Sequence, residues 1–137
     1  MTPIEINCLA KKYGSTLTPL QITELVSLTG GHPYLTSIAF KYLARGYSWQ
    51  AFQQIAPTNA APYGNYLRQL LKILQRNPKL GRAFAEVVSD SRAIALPVEI
   101  GFKLVSLGLV EIKKNCYSVQ NNLYRQYFLT HIEELEP

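Results

Sequence analysis

The stretch Leu28-Thr29-Gly30-Gly31-His32-Pro33-Tyr34-Leu35 decides how the rest of the chain is read. Apolar residues at helical spacing run into it from one side and resume on the other. Two successive glycines supply backbone freedom, including positive φ, and so suit the end of a helix. Pro33 stands where a new helix would begin. Its fixed φ fits the first turn, and its missing N–H would have no partner there anyway. The stretch therefore reads as helix, hard stop, helix. The plainest reading is a tight connection inside a helical bundle.

Working outward, Pro3 to Tyr13 forms a first helix, with Ile4 and Cys8 sharing a face and Gly14 as its stop. Thr18-Pro19 is an N-cap followed by proline, opening a second helix with Ile22, Leu25, Val26 and Leu28. Pro33 to Ala44 is the third, carrying Leu35, Ile38, Ala39 and Tyr42 and ended by Gly46. A short fourth helix from Ser48 bears Trp49, Phe52 and Ile55, and it stops near Pro57. Thr58-Asn59-Ala60-Ala61-Pro62 is turn-rich and short, so it separates two packed units. Residues 1–57 form one subdomain and residues 58–137 the other.

Tyr63, Tyr66, Leu67, Leu70 and Leu74 open the second part with an amphipathic helix ending at Arg76. Asn77-Pro78 starts another helix with Leu80, Phe84, Val87 and Val88. Leu96-Pro97 starts a third, with Ile100, Leu104 and Val105, which ends at Gly108. There the period changes. Leu109 to Lys113 and Cys116 to Val119 are short strand-like segments. Lys114-Asn115 between them suits a two-residue hairpin turn. A last helix runs from Leu123 to Ile132. Three helices, a two-stranded wing and a packing helix is the order of a winged helix. The fold class is mostly α: about four helices forming a small subdomain, then a winged-helix domain with a two-stranded β-hairpin.

Gly31-His32-Pro33, preceded by Gly30 and followed by an apolar helix, resembles the glycine-x-proline motif of STAND-type P-loop ATPases. The string Gly-Gly-His-Pro-Tyr-Leu and the tail Tyr117-Ser118-Val119 through Leu123-Tyr124-Arg125-Gln126-Tyr127-Phe128 resemble the AAA-like domain ATPases abundant in cyanobacteria. Ser106-Leu107-Gly108-Leu109-Val110 is the helix-end-to-wing joint that winged-helix domains show. The resemblance covers most of the chain. It implies that the first four helices are a lid lying after a nucleotide-binding domain, with the proline near the adenine. Gly31, His32 and Pro33 are then the nucleotide-contacting residues, with His32 beside the base or ribose. Without the resemblance, His32 reads as a cap at a helix start, with its ring half exposed. The methionine-histidine-aspartate motif by which many relatives touch the ADP phosphate is absent here.

The chemistry of a complete ATPase is missing. None of the eight glycines is followed by lysine, so there is no G-x-x-x-x-G-K-[ST] loop, and no strand ends in paired acids. Nothing holds Mg²⁺ or activates water against a γ-phosphate. The chain reads as a C-terminal piece of an ATPase or a stand-alone relative without the catalytic domain. It is not itself an enzyme. ATP or ADP is bound only together with a P-loop domain, in the same chain or a partner. His32 and His131 have no catalytic partners in sequence, and no G-x-S-x-G elbow exists. Cys8 and Cys116 are solitary, which excludes zinc spacing and fits reduced thiols in the cytoplasm. No apolar run approaches the roughly 20 residues of a membrane helix, so no membrane partner is expected.

The 137 residues are 47% hydrophobic and carry a net charge of +5, which suits one compact unit or two small ones. No acid occurs between Glu24 and Glu86, an interval holding Arg68, Lys72, Arg76, Lys79 and Arg82. These five residues are a candidate interaction surface for phosphate, nucleic acid or an acidic protein effector; a solvated face is the simpler alternative. The presumed recognition helix, Pro97 to Leu107, offers Lys103 and Glu99 and lacks the arginine, asparagine or glutamine that read bases. A regulatory module of a signalling ATPase is favoured over a nucleic-acid-binding winged helix or a stand-alone protein-interaction module.

Overall fold

Thr18 sets the direction of the first well-capped helix. Its hydroxyl accepts from the Gln21 amide at 3.2 Å, while Gln21 Oε1 accepts from the Thr18 amide at 3.0 Å. This reciprocal pair satisfies two donors at the start of α2 (Pro19–Thr29), with Pro19 in the first turn. The structure is a computed structural model describing residues 3–12, 17–60 and 62–135. Among them are nine helices and one two-stranded antiparallel sheet. The chain divides into two compact units, Met1–Asn65 and Tyr66–Pro137.

In the first unit, α1 (Pro3–Lys12) precedes α2 and packs on it. Next come α3 (Pro33–Ala44) and α4 (Trp49–Ile55), the latter capped by Ser48 Oγ accepting from the Ala51 amide at 3.1 Å. The core comprises Ile6, Ile22, Leu25, Leu28, Leu35, Phe40 and Phe52. Two inward faces differ from those read in the sequence. Ile4 and Cys8 of α1 are exposed, and Ile6 is buried instead. On α3 the buried face is Leu35, Thr36, Ala39 and Phe40, a rotation that leaves Ile38 and Tyr42 half-buried. Tyr42 stacks instead on Tyr47, with centroids 4.2 Å apart. Gly14, expected to stop the first helix, lies outside the described residues.

The sequence puts a division after residue 57. Contacts extend the first unit through Asn65. Tyr63 explains why: its ring is fully buried edge-on to Phe52, and its hydroxyl donates to the Leu35 carbonyl. Burial raises the Tyr63 pKa, so the phenol stays protonated as that bond requires.

The second unit begins within α5 (Gly64–Arg76), which buries Leu67, Leu70, Leu71 and Leu74. Its central element is α6 (Pro78–Ser89), which packs on α7 (Val98–Ser106), β2 (Cys116–Val119), α8 (Asn122–Thr130) and α9 (Ile132–Leu135). Gly81 makes this crowding possible. A Cβ there would lie 3.0 Å from the Leu74 carbonyl oxygen and 3.1 Å from that of Leu135. Phe84 meets Phe128 edge-on at 5.0 Å in the middle of the core.

The hairpin pairs β1 (Val110–Lys113) with β2, Lys113 facing Cys116 across the turn. Lys114 and Asn115 have φ of 51° and 64°, the double left-handed conformation of a tight hairpin. Two features had no counterpart in the sequence reading. Ile94 exchanges backbone bonds with Tyr117 at 2.9 and 2.7 Å, adding an isolated bridge beside β2. The last helix also breaks at His131, and α9 turns off to bury Leu135.

Gly101 of α7 faces the Tyr117 ring so closely that a methyl group would fall on it. Gly101→Ala should therefore lower stability by about 1–3 kcal/mol through overpacking, measured by urea unfolding. An unchanged midpoint would show that the tyrosine moves aside freely.

Candidate functional site

The Gly-Gly-His-Pro joint is built on a threonine. Thr29, the last residue of α2, is completely buried, and its hydroxyl donates to the Leu25 carbonyl at 2.9 Å. The same oxygen accepts from the Gly31 amide at 3.3 Å and from the Thr36 hydroxyl at 3.1 Å. Thr36 is itself buried on the first turns of α3. One side-chain oxygen thus ties the end of α2, the joint and the start of α3. Gly30 then closes α2 in the left-handed region (φ 62°, ψ 21°), its amide donating to Val26 at 2.8 Å. Gly31 follows with φ 72°. Two such residues in sequence reverse the chain within one turn, a conformation that costs any residue with a Cβ about 1–2 kcal/mol.

His32 is extended (φ −66°, ψ 121°) and starts α3, with Pro33 in the first turn. Its side chain does not cap the helix. The ring is half-buried, edge-on to Tyr34 at 6.5 Å, and its Nδ1 is buried with no hydrogen-bond partner. Burial lowers the His32 pKa below the ordinary 6.5, so the ring is neutral at neutral pH. The sign of the linkage follows: the unfolded chain binds this proton more readily. The residue's contribution to stability is complete above 6.5 and is lost as pH falls through the lowered folded value. Pro33 and Tyr34 are exposed at the start of α3. The site therefore presents an apolar surface next to a buried, unused ring nitrogen.

The basic residues belong to α5 and α6 in the second unit. Lys72, Arg76, Lys79 and Arg82 are exposed, whereas Arg68 is half-buried. Arg82 also lies 3.4 Å, through Nε, from the Pro78 carbonyl. The sequence reading passed over Thr29 and Thr36. The available signal was two polar residues at core positions of otherwise apolar helix faces, seven apart across the glycines. Among the described residues no group of three or more histidine, cysteine, aspartate or glutamate side chains comes together to hold a metal. No described helix is long and apolar enough to cross a membrane.

The family model of the AAA-like domain matches residues 1–130, which include the joint, the hairpin and most of α8. The chain belongs to the AAA-like domain family. No curated protein and no solved structure matches it significantly. The family match associates this AAA-like domain with an ATPase and a nucleotide-binding domain.

Thr29→Val keeps shape but removes the shared oxygen, and should destabilise the AAA-like domain by about 1–3 kcal/mol. Thr36→Val should cost less. The double variant should cost less than the sum of the two, because the singles break the same bond. Additive losses in thermal melts would mean that the two hydroxyls do not act together.

Proposed function

We propose that this AAA-like domain chain is a non-catalytic regulatory lid of a STAND-type signalling ATPase. Its first unit contacts a nucleotide held by a separate P-loop domain, through Gly31, His32 and Pro33. Its second unit, a winged-helix-like arrangement, relays the nucleotide state to a protein effector. The chain does not hydrolyse ATP itself, since it has neither a phosphate-binding loop nor a strand ending in paired acids. A cytoplasmic location fits this role.

One observation carries the reading: the buried Nδ1 of His32 has no partner, and exposed Pro33 follows it directly. Buried polar atoms are nearly always satisfied, so Nδ1 calls for a partner from outside the chain, and a bound nucleotide would supply one. A neutral imidazole with its proton on Nε2 presents Nδ1 as an acceptor. The exocyclic amine of adenine and a ribose hydroxyl are donors of the right kind. Pro33 would supply apolar contact to the flat base, and Gly31, itself buried, carries no side chain that would keep the base away from the joint. These groups bury too little of a nucleotide to hold it unaided, which is why the reading requires a P-loop domain. Relay through the second unit requires two states that contact ATP and ADP differently.

The test uses a protein carrying this chain with its P-loop domain and a fluorescent ADP. Pro33→Ala and His32→Phe should each weaken ADP binding roughly tenfold, equivalent to about 1.4 kcal/mol. The melting curve of the chain should shift little with Pro33→Ala, within about 0.4–1 kcal/mol. Unchanged affinity in both variants would remove the nucleotide from this site. Unfolding by Pro33→Ala would make the residue a packing element instead.

A further inference from the structure

The helix expected to read bases in a winged helix has the wrong surface for it. On α7, Val98, Phe102 and Val105 are 63%, 59% and 37% exposed. Their spacing of four and three residues puts them in one stripe along the helix. The neighbouring side of α7 is already used, with Gly101 and Leu104 buried and Gly101 close to Tyr117. The helix thus has two apolar sides and its own core covers one of them. Exposed apolar side chains lined up in this way mark an interaction surface rather than scattered surface residues.

Beside the stripe lies a groove of about 560 Å³ between α7 and the α5–α6 corner. Leu80, Val98 and Ile100 give it apolar walls, and Arg76, Lys79 and Lys103 stand around it. Glu99 is its single acid. All four charged side chains are exposed, and none of the three cations has an ion-pair partner among the described residues. Apolar walls under an unbalanced positive rim complement an occupant that is apolar on one side and acidic on the other.

We propose that the outer face of α7 and this groove dock an acidic amphipathic helix of a partner protein. The partner's apolar ridge packs along Val98, Phe102 and Val105, as one helix packs on another. Its carboxylates meet Arg76, Lys79 and Lys103, which set orientation and association rate more than affinity. Duplex DNA is the poorer occupant. Phe102 and the two valines offer a base edge no hydrogen bond, and phosphates beside them would lose water without compensation. The inference concerns the second unit alone and does not depend on the nucleotide reading.

The experiment titrates the full chain into a fluorescein-labelled helical peptide of about 14 residues, four turns long. Leucines occupy one stripe of the peptide and glutamates most other positions. Controls are a scrambled peptide of the same composition and one with lysine replacing glutamate. Saturable binding of the first peptide alone is expected, weakening between about 50 mM and about 500 mM salt as screening increases. Phe102→Ser and Lys103→Glu should each weaken it at least about tenfold, with circular dichroism unchanged. Val98→Ser provides a second apolar probe on the same stripe. No saturable binding, equal binding of the scrambled peptide, or indifference to all three substitutions overturns the proposal. So does a concentration-dependent dimer abolished by Phe102→Ser, which would make a second copy the occupant. A duplex that competes the peptide off with higher affinity would assign the face to DNA.

Discussion

The Thr29 hydroxyl is the point on which the first unit depends. It donates back into α2 at Leu25, accepts from the Gly31 amide and accepts from Thr36 at the start of α3. Two consecutive glycines are otherwise a poor way to fix an angle, because each is free to adopt many conformations. Here their positive φ values are held by a buried oxygen that both helices share. The rigidity of the joint is what gives His32 a defined place. With α3 starting where it does, the ring is pressed inward far enough to bury Nδ1, and Pro33 and Tyr34 remain outside.

The two units carry different kinds of surface. The first has the joint, with one unpartnered ring nitrogen and an apolar lip. The second has a helix with an uncovered apolar stripe and a positive groove. In the proposed reading the first unit senses a base and the second engages a protein, and membership of the AAA-like domain family is compatible with that division. Neither task needs catalytic side chains. The chain's few acids, absent between Glu24 and Glu86, are consistent with surfaces built to receive anionic or acidic partners.

Much of the fold was legible in the sequence because it is punctuated by residues with one local meaning. Thr18-Pro19, Ser48 and Asn77-Pro78 mark helix starts, and Lys114-Asn115 marks the hairpin turn, each where the structure has it. The inward faces of short helices were less legible. Eight to twelve residues with apolar side chains all round do not say which side meets the core, so Ile6 and Phe40 were missed where neighbouring helices decide. The Ile94 bridge is a single pair made by tertiary placement and leaves no alternation to read. At the joint, the glycines and proline were visible. The threonine pair was not, because a buried hydroxyl network spans seven residues and depends on the turn between them. The apolar stripe of α7 was half visible: Val105 was read as core, yet it faces outward with Val98 and Phe102.

The account rests on a neutral, half-buried His32 whose Nδ1 is an unpartnered acceptor. Long-range ¹H–¹⁵N NMR of the ring during a pH titration reads this directly, since the two ring nitrogens report their protons separately. The account predicts a midpoint below 6.5, a neutral ring protonated on Nε2, and an Nδ1 shift that moves when nucleotide and P-loop domain are added. A midpoint at or above 6.5, or a proton resident on Nδ1, would contradict it.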